Sequence, residues 1–350
     1  MESSTDLYAQ ICSFENLYWA YRKARRGKRG KASVAAFEYN QEEELFALQQ
    51  ELLSRTWRPG AYHNFYIHDP KRRLISAAPF RDRVVHHALC NLIEPIWERR
   101  FIYDSYANRV GKGTHRAILR CQQFGRRYAY VLQCDIQQYF PSIDHTILKT
   151  TLARYIGDQP TLEMIHWILR SGEGIGSEAY EMHWFPGDDL FSVLRPRGLP
   201  IGNLTSQFWA NVYLNGFDHF VKRSLRCPAY VRYVDDFLLF ADEKAVLRRW
   251  QGEIEKRLIG LRLTMHEPQV FPTTTGIPFL GFRIYPDHRR LKKKRGIAFQ
   301  RRMLWLYKQW VAGQAPRSRL DAAARSWAAH AAWGDTYGLR KAVLGKFLLS

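Results

Sequence analysis

Several things are scarce or missing from these 350 residues, and each absence closes off a class of protein. No run of about eighteen apolar residues occurs, so no membrane-spanning helix and no membrane partner is expected. The N-terminus, MESSTDLYAQ, carries acidic residues and lacks the basic-then-apolar profile of a secretory signal, which makes the cytoplasm the expected location. Cysteine is sparse: Cys12, Cys90, Cys121, Cys134 and Cys227 are scattered, odd in number and nowhere in a CxxC pair. That excludes a disulfide scaffold and points to reduced thiols. His86, His87 and Cys90 could share one helix face, but no second Cys/His pair follows at zinc spacing, so they are not read as a metal site.

Acidic residues are also in short supply. Asp and Glu number 33 against 53 Lys and Arg, for a formal net charge of +20. A field of that size attracts polyanions, nucleic acid first and anionic membrane second. Aromatics make up 14% of the chain and offer faces on which bases stack. With 46% hydrophobic residues the chain can build the core of two or three packed subdomains. Charge alone does not separate an enzyme from a passive RNA binder.

A helical stripe over residues 5–21 (Leu7, Ile11, Phe14, Leu17, Tyr18, Tyr21) runs into RKARRGKRGK at 22–31, where seven of ten residues are cationic. That run reads equally as a solvated stretch or as a phosphate contact. A helix follows near 38–54, stopped by Trp57-Arg58-Pro59-Gly60. Residues Tyr62–Ile67 and Lys71–Ala77 alternate like two strands around an Asp69-Pro70 turn. Helices are expected at 82–98, 145–156, about 204–225 and 244–258. Strands are expected at 128–134, in a pair around 229–240, and through 279–285. Residues 171–197 are Gly/Pro-rich and irregular, and 297–348 largely helical after the basic run Arg289–Arg295. No internal repeat appears. Tight turns join some of the strands, so the fold class is α+β rather than a wound parallel sheet.

The chemistry concentrates in two segments. In Ala229–Phe240, two apolar β-prone runs flank Val234-Asp235-Asp236, a predicted β-hairpin with two carboxylates at its tip. Adjacent carboxylates between apolar strands repel, and the arrangement is costly unless cations neutralise it. Asp-Asp is also ordinary turn chemistry. In Tyr130–Asp144, a buried-looking strand delivers Asp135 at its C-terminal end. Asp144 suits a helix cap and is read as structural, whereas no helix starts at Asp135. A third carboxylate meeting the hairpin pair would make a hard-oxygen site for two Mg²⁺ ions about 3.5–4 Å apart. Such a site would activate a primer 3′-hydroxyl and stabilise departing pyrophosphate.

Tyr233-Val234-Asp235-Asp236 resembles the YxDD motif of reverse transcriptases, and Cys134-Asp135-Ile136 with Tyr139-Phe140 their first palm motif. Gly198–Gln207 resembles the LPQGxxxSP motif, Phe279-Leu280-Gly281-Phe282 the primer-grip region, and Ser105–His115 the fingers motif of group II intron and related bacterial enzymes. These motifs occur in family order over roughly residues 70–286. The resemblance implies a right-hand polymerase: an N-terminal helical basic extension at 1–60, fingers at 61–130, a palm at 131–286 whose antiparallel sheet carries the YVDD hairpin, an insertion near 146–197, and a helical thumb at 287–350. It implies Asp135, Asp235 and Asp236 as catalytic residues and, with Ile136, as the metal-holding positions for two Mg²⁺, with Mn²⁺ as a substitute. Arg109, Lys112, Phe140, Ile201 and Gly202 fall at dNTP-binding positions, with Arg116 a weaker candidate. Tyr233, Gln207, Phe279, Leu280 and Gly281 fall at primer and template positions. RNA template, cDNA or primer, and dNTPs are the implied partners.

Departures from the pattern refine the resemblance. Ile201 stands where most families have Gln, and Ser206-Gln207 replaces SP. Together with Arg72/Arg73, Phe80–His87, Ile93-Glu94-Pro95 and Tyr103–Tyr106, this resembles the reverse transcriptases of diversity-generating retroelements. Those enzymes copy a template-repeat RNA, misincorporate opposite adenine and work with a small accessory protein, in a bacterial, archaeal or phage-encoded setting. A β-branched apolar side chain cannot offer a Gln's hydrogen bonds near the nascent pair, which would loosen selection. The Lys that many members of the family carry after the next palm motif, as proton donor to pyrophosphate, is missing from Leu263–Gln269; only His266 or Gln269 lies near, and His266 is the candidate substitute. Two alternatives stay open: a retron- or group II intron-like reverse transcriptase of ordinary fidelity, and a catalytically idle RNA-binding protein.

Overall fold

The computed structural model of the chain describes residues 7–68, 72–176 and 180–348. The expected Asp69-Pro70 turn and the first residues of the expected N-terminal helix lie outside them. The chain divides into two compact units, each built from three separated segments. One comprises Met1–Tyr103, Asp135–Arg226 and Gly252–His266; the other comprises Asp104–Cys134, Cys227–Gln251 and Glu267–Ser350.

The first unit is mostly helical. The N-terminal stripe forms two helices, Leu7–Cys12 and Phe14–Ala24, instead of one. Ser13 breaks it: its extended backbone starts the second helix and its hydroxyl caps the Asn16 N–H. Leu17, Ala20 and Tyr21 of that stripe are buried, as are Val84, Val85, Ala88 and Leu89 of helix Phe80–Glu98, against which the stripe packs. The helix expected near 38–54 runs over Gln41–Leu53, and a further helix, Ala32–Tyr39, precedes it across Asn40 and was not foreseen. The basic run is partly held in place, because Arg25 and Arg29 both pair with Glu38. Two strands, β1 (His63–Ile67) and β2 (Arg73–Ala77), form an antiparallel hairpin. Helix Gln159–Ser171, capped by Asp158, was not foreseen. Helix Leu204–His219 passes into one π turn, Phe220–Ser224, so the α-helix ends earlier than the pattern implied.

In this unit Asp144 is the structural residue that its sequence position indicates. Its carboxylate accepts from the N–H groups of Thr146 (2.8 Å) and Ile147 (3.0 Å), capping helix His145–Ala153. The second oxygen meets Arg262 at 2.7 Å and Arg195 at 3.3 Å. Arg195 also grips Asp188 at 2.6 Å and holds that carboxyl below the usual carboxylate range.

The second unit is built on a four-stranded sheet. Its strands are β3 (Tyr130–Asp135, whose last residue, Asp135, opens the next segment of the first unit), β4 (Tyr230–Tyr233), β5 (Asp236–Ala241) and β6 (Gln269–Pro272), in the order β4-β5-β3-β6. Three short strands, β7 (Ile277–Phe279), β8 (Phe282–Ile284) and β9 (Arg289–Leu291), form a second, antiparallel sheet. β6 and β9 escaped the sequence reading, because a proline and a run of arginines disguise strands of three or four residues. Helix Thr114–Arg127 lays Ala117, Ile118, Cys121 and Phe124 on Val131, Val231, Leu238 and Phe240, making one core. Helices Lys293–Val311, Arg317–Ala331 and Tyr337–Leu348 share a separate apolar cluster in which Phe299 stacks on Trp327 at 4.2 Å. All five cysteines are buried and none is in a disulfide. No helix among the described residues is long and apolar enough to cross a membrane.

Removing one partner from a buried ion cluster leaves charge uncompensated, so Asp144→Ala should destabilise the protein by about 3 kcal/mol, read as a lower midpoint in urea unfolding. A change below about 0.5 kcal/mol, the range of a neutral surface substitution, would show that cap and ion pairs contribute nothing net.

Candidate active site

Antiparallel register pairs Tyr233 with Asp236 and leaves Val234-Asp235 as a two-residue loop between β4 and β5. The flanks explain why the hairpin forms: Tyr230, Val231 and all of Phe237–Phe240 are fully buried. Both strands therefore lie inside the unit, and only the carboxylate end is half-exposed. Val234 sits at φ 60°, a left-handed conformation that a β-branched residue reaches only with strain. Lys292 is one positive electrostatic neighbour of Asp236. Burial pushes its ammonium pKa down, and the Asp236 carboxylate pulls it partly back up.

Asp135 is the last residue of β3, the strand hydrogen-bonded to β5 in the sheet. Side chains alternate along a strand, so Asp135 shares a face with Val131, and Asp236 shares one with Leu238 and Phe240. Beyond Asp135, the chain continues as a bridge: Ile136, buried, pairs with Met265, and the Asp135 carbonyl accepts from the His266 N–H at 2.9 Å. This places His266 beside Asp135 along the main chain, with an exposed side chain. Gln138 at φ 46° then turns the chain into the short helix Tyr139–Ser142.

That helix ties Phe140 to the glycine-rich segment, because the Phe140 carbonyl accepts from the Leu199 N–H at 2.9 Å. Two residues on, the Ile201 carbonyl accepts from the Ser76 N–H of β2 at 2.9 Å, and Asn203 bonds both Ser76 and Ala78. Gly202 between them has φ 117°, and a Cβ there would lie 2.9 Å from the Ile75 side chain. Only glycine fits. Gln207 lies one turn into helix Leu204–His219, half-buried.

The basic loop at 108–116 is held on the second unit. The Arg109 guanidinium donates to the Ser105 carbonyl at 3.0 Å, and the Lys112 ammonium lies 5.2 Å from the centre of the Tyr106 ring. The Thr114 hydroxyl, at the start of helix Thr114–Arg127, meets the Tyr233 hydroxyl at 3.0 Å. Phe279 pairs with Phe282 across a second two-residue loop, Leu280-Gly281, with both residues at positive φ as a type I′ turn requires. These pieces surround a cavity of about 490 Å³ lined by Lys112, Thr114, His115, Tyr233, Leu280, Arg295 and His330. Its imidazoles, His115 and His330, are held below the usual histidine range, first by burial. Arg295, Lys292, His115 and His330 did not emerge from the sequence. The basic run at 289–295 carried the signal for the first two, but it reads equally as a solvated stretch.

Among the described residues, no group of three or more His, Cys, Asp or Glu side chains is arranged to hold a metal ion. Carboxylates at the hairpin nevertheless suit Mg²⁺. That ion keeps several waters and binds through one or two carboxylates together with substrate phosphates, so it needs no closed protein cage.

The fold is that of a right-hand polymerase, mixing helices with antiparallel sheet. Within that class the chain belongs to the reverse transcriptase (RNA-dependent DNA polymerase) family, whose model matches residues 67–284. It is 26% identical over 301 residues to protein YkfC of Escherichia coli K12, covering 73% of this chain and 74% of that one. To the group II intron-encoded protein LtrA of Lactococcus lactis it is 25% identical over 227 residues, 63% of this chain but 36% of LtrA. To the mitochondrial nuclear intron maturase 2 of Arabidopsis thaliana it is 24% identical, over 47% of this chain and 25% of the maturase. Apo telomerase of Candida tropicalis superposes with a TM-score of 0.47 at 10% identity, covering 65% of this chain and 48% of that one, a likeness too slight to argue from.

Gly202→Ala places a side chain in a left-handed backbone and against Ile75. The variant should lose about 2 kcal/mol of stability and most nucleotide-incorporating activity, measured by thermal unfolding and primer extension. Wild-type values for both would show that the loop shifts freely.

Proposed function

We propose that this RNA-directed DNA polymerase copies a template-repeat RNA into cDNA with errors concentrated opposite adenine, as a diversity-generating retroelement requires. One observation carries the reading: Ile201 occupies the position at which most of the family places glutamine, and its main chain is fastened to β2. The backbone bond between Ile201 and Ser76 does not depend on the side chain. What differs there is the loss of an amide that could hydrogen-bond near the nascent pair, and a site without those bonds discriminates less between matched and mismatched geometries.

The reaction is assigned to the residues as follows. Asp135, Asp235 and Asp236, with the Ile136 main chain, hold divalent metal, which supplies charge neutralisation at the transferred phosphate. Arg109 and Lys112 hold the triphosphate as fixed cations. Phe140, anchored through Leu199, excludes a 2′-hydroxyl by bulk, and Gly202 lets β2 approach closely. Tyr233 lies beneath the primer terminus. Gln207 and the Phe279-Leu280-Gly281 turn track primer and template, with RNA as template and dNTPs as substrates. A small accessory protein completes the assembly, and the reaction takes place in the cytoplasm. The extension at 1–60, fingers at 61–130, palm at 131–286 with its insertion near 146–197, and thumb at 287–350 remain the working division.

A second reading is favoured by the intron-encoded relatives: a reverse transcriptase of the group II intron type with ordinary fidelity. Two measurements separate the possibilities. In primer extension on an RNA template with Mg²⁺, Asp235→Ala should lose at least a thousandfold in rate, a barrier increase of about 4 kcal/mol; wild-type incorporation by that variant would sink the assignment of the hairpin. In sequenced cDNA, errors opposite adenine should exceed those opposite other bases, and Ile201→Gln should reduce that excess at least threefold. An even error spectrum in the wild type leaves the ordinary-fidelity reading standing.

A further inference from the structure

Arg232 immediately precedes Tyr233 in β4 and is wholly buried, with 0% exposure. A guanidinium out of water is costly unless its donors are used. Two of this residue's bonds are made by its main chain. Its N–H donates to the Asp104 carbonyl and its carbonyl accepts from the Tyr106 N–H, each at 3.0 Å, forming a parallel bridge at Ser105. A third bond has another character. The guanidinium Nη1 donates at 2.9 Å to the Val234 carbonyl, two residues ahead, inside the turn. Val234 is the strained residue of that turn, at φ 60°. A β-branched residue persists in such a conformation only where its surroundings enforce it.

We infer that Arg232 is a positioning residue for nucleotide transfer. Its guanidinium holds the Val234 carbonyl and thereby keeps the strained turn in the one conformation that presents Asp235 and Asp236. The inference rests on the polymerase reading above and goes beyond it, since Arg232 touches neither substrate nor metal in that scheme.

The surroundings show what the side chain does and what it leaves to others. The Asp104–Tyr106 segment reached by the Arg232 main chain is itself well anchored. Arg120 grips the Asp104 carboxylate at 2.8 and 3.2 Å, and the Tyr106 hydroxyl donates to it at 3.0 Å. That segment opens the loop carrying Arg109 and Lys112, whose return is fixed by the Gly113 N–H on the Tyr106 carbonyl at 2.8 Å. The two bonds by which the Arg232 main chain holds this segment survive replacement of the side chain. The link from Arg232 to the turn is a side-chain bond and does not. Losing the guanidinium should therefore disturb the carboxylates while leaving the triphosphate-holding loop in place.

The kinetic signature follows from that division. In single-nucleotide incorporation with Mg²⁺, Arg232→Met should lower kcat roughly thirtyfold, as expected for catalytic groups displaced by a fraction of an ångström. The dNTP KM should stay within about twofold. A double-mutant cycle with Val234→Gly separates positioning from general support of the fold. Glycine reaches positive φ without strain, so in the Val234→Gly background the same Arg232→Met change should cost roughly threefold or less. Equal costs in the two backgrounds overturn the inference. So does a wild-type kcat for Arg232→Met, or an effect confined to KM. If Arg232→Met does not fold, the cycle is run with Arg232→Lys, which keeps the buried charge but not the planar reach of the guanidinium, and the same non-additivity is expected. Wild-type enzyme measured alongside keeps the two readings apart: its failure to incorporate any nucleotide would count against the polymerase assignment.

Discussion

The two-residue turn at Val234-Asp235 is the constraint on which the other features depend. A hairpin that turns in two residues needs a positive φ, and here a valine supplies it, which ordinary propensity disfavours. The flanking strands enforce the choice, because Phe237–Phe240 and Tyr230–Val231 are buried on both faces and a slip of one residue would exchange every side chain between two packed faces. Once that register is set, Asp235 and Asp236 are fixed at the end of the pair, and β3, with Asp135 at its end, is the next strand in the sheet. Local strain is thus maintained by burial some residues away, a pattern common where chemistry needs a rigid presentation.

The same economy appears at the second hairpin. Leu280 and Gly281 both adopt positive φ, and the space above Gly281 is filled by Arg295, so a side chain there would meet the guanidinium at 2.7 Å. Gly202 is confined in a comparable way by Ile75. At both glycines a tight backbone brings two segments closer than an ordinary side chain would permit, and at Val234 the same positive φ is held by a valine. Each lies in a motif that the sequence made visible through its glycines or paired acids.

Much of this was legible beforehand because it is local. Apolar runs on either side of Val234-Asp235-Asp236 specify a hairpin, and the apolar run ending at Asp135 specifies a strand, whatever the rest of the chain does. The alternation of Tyr62–Ile67 and Lys71–Ala77 gave the β1–β2 pair within two residues at each end. The features that were missed depend on distant partners. Strand β6 exists because β3 offers it an edge, and β9 because β8 does; neither has a pattern of its own. Arg232 looked like one cation among 53, since nothing local distinguishes a buried arginine from a solvated one. The break at Ser13 was available in principle, because serine followed by an acid two residues later is a common helix start.

The path of the chain has a further consequence, for biosynthesis. It passes between the two units at 103–104, 134–135, 226–227, 251–252 and 266–267, so each unit is assembled from three pieces, and both need residues beyond 251. On a ribosome, Asp135 and the hairpin emerge well before the segments that complete either core. The nascent chain therefore carries β3 without its sheet partners until β5 and β6, about a hundred residues or more further on, have been made. Neither unit can close its core until the chain has been made past residue 251, and pairing over such separations costs loop-closure entropy that slows folding and prolongs the exposure of apolar strands.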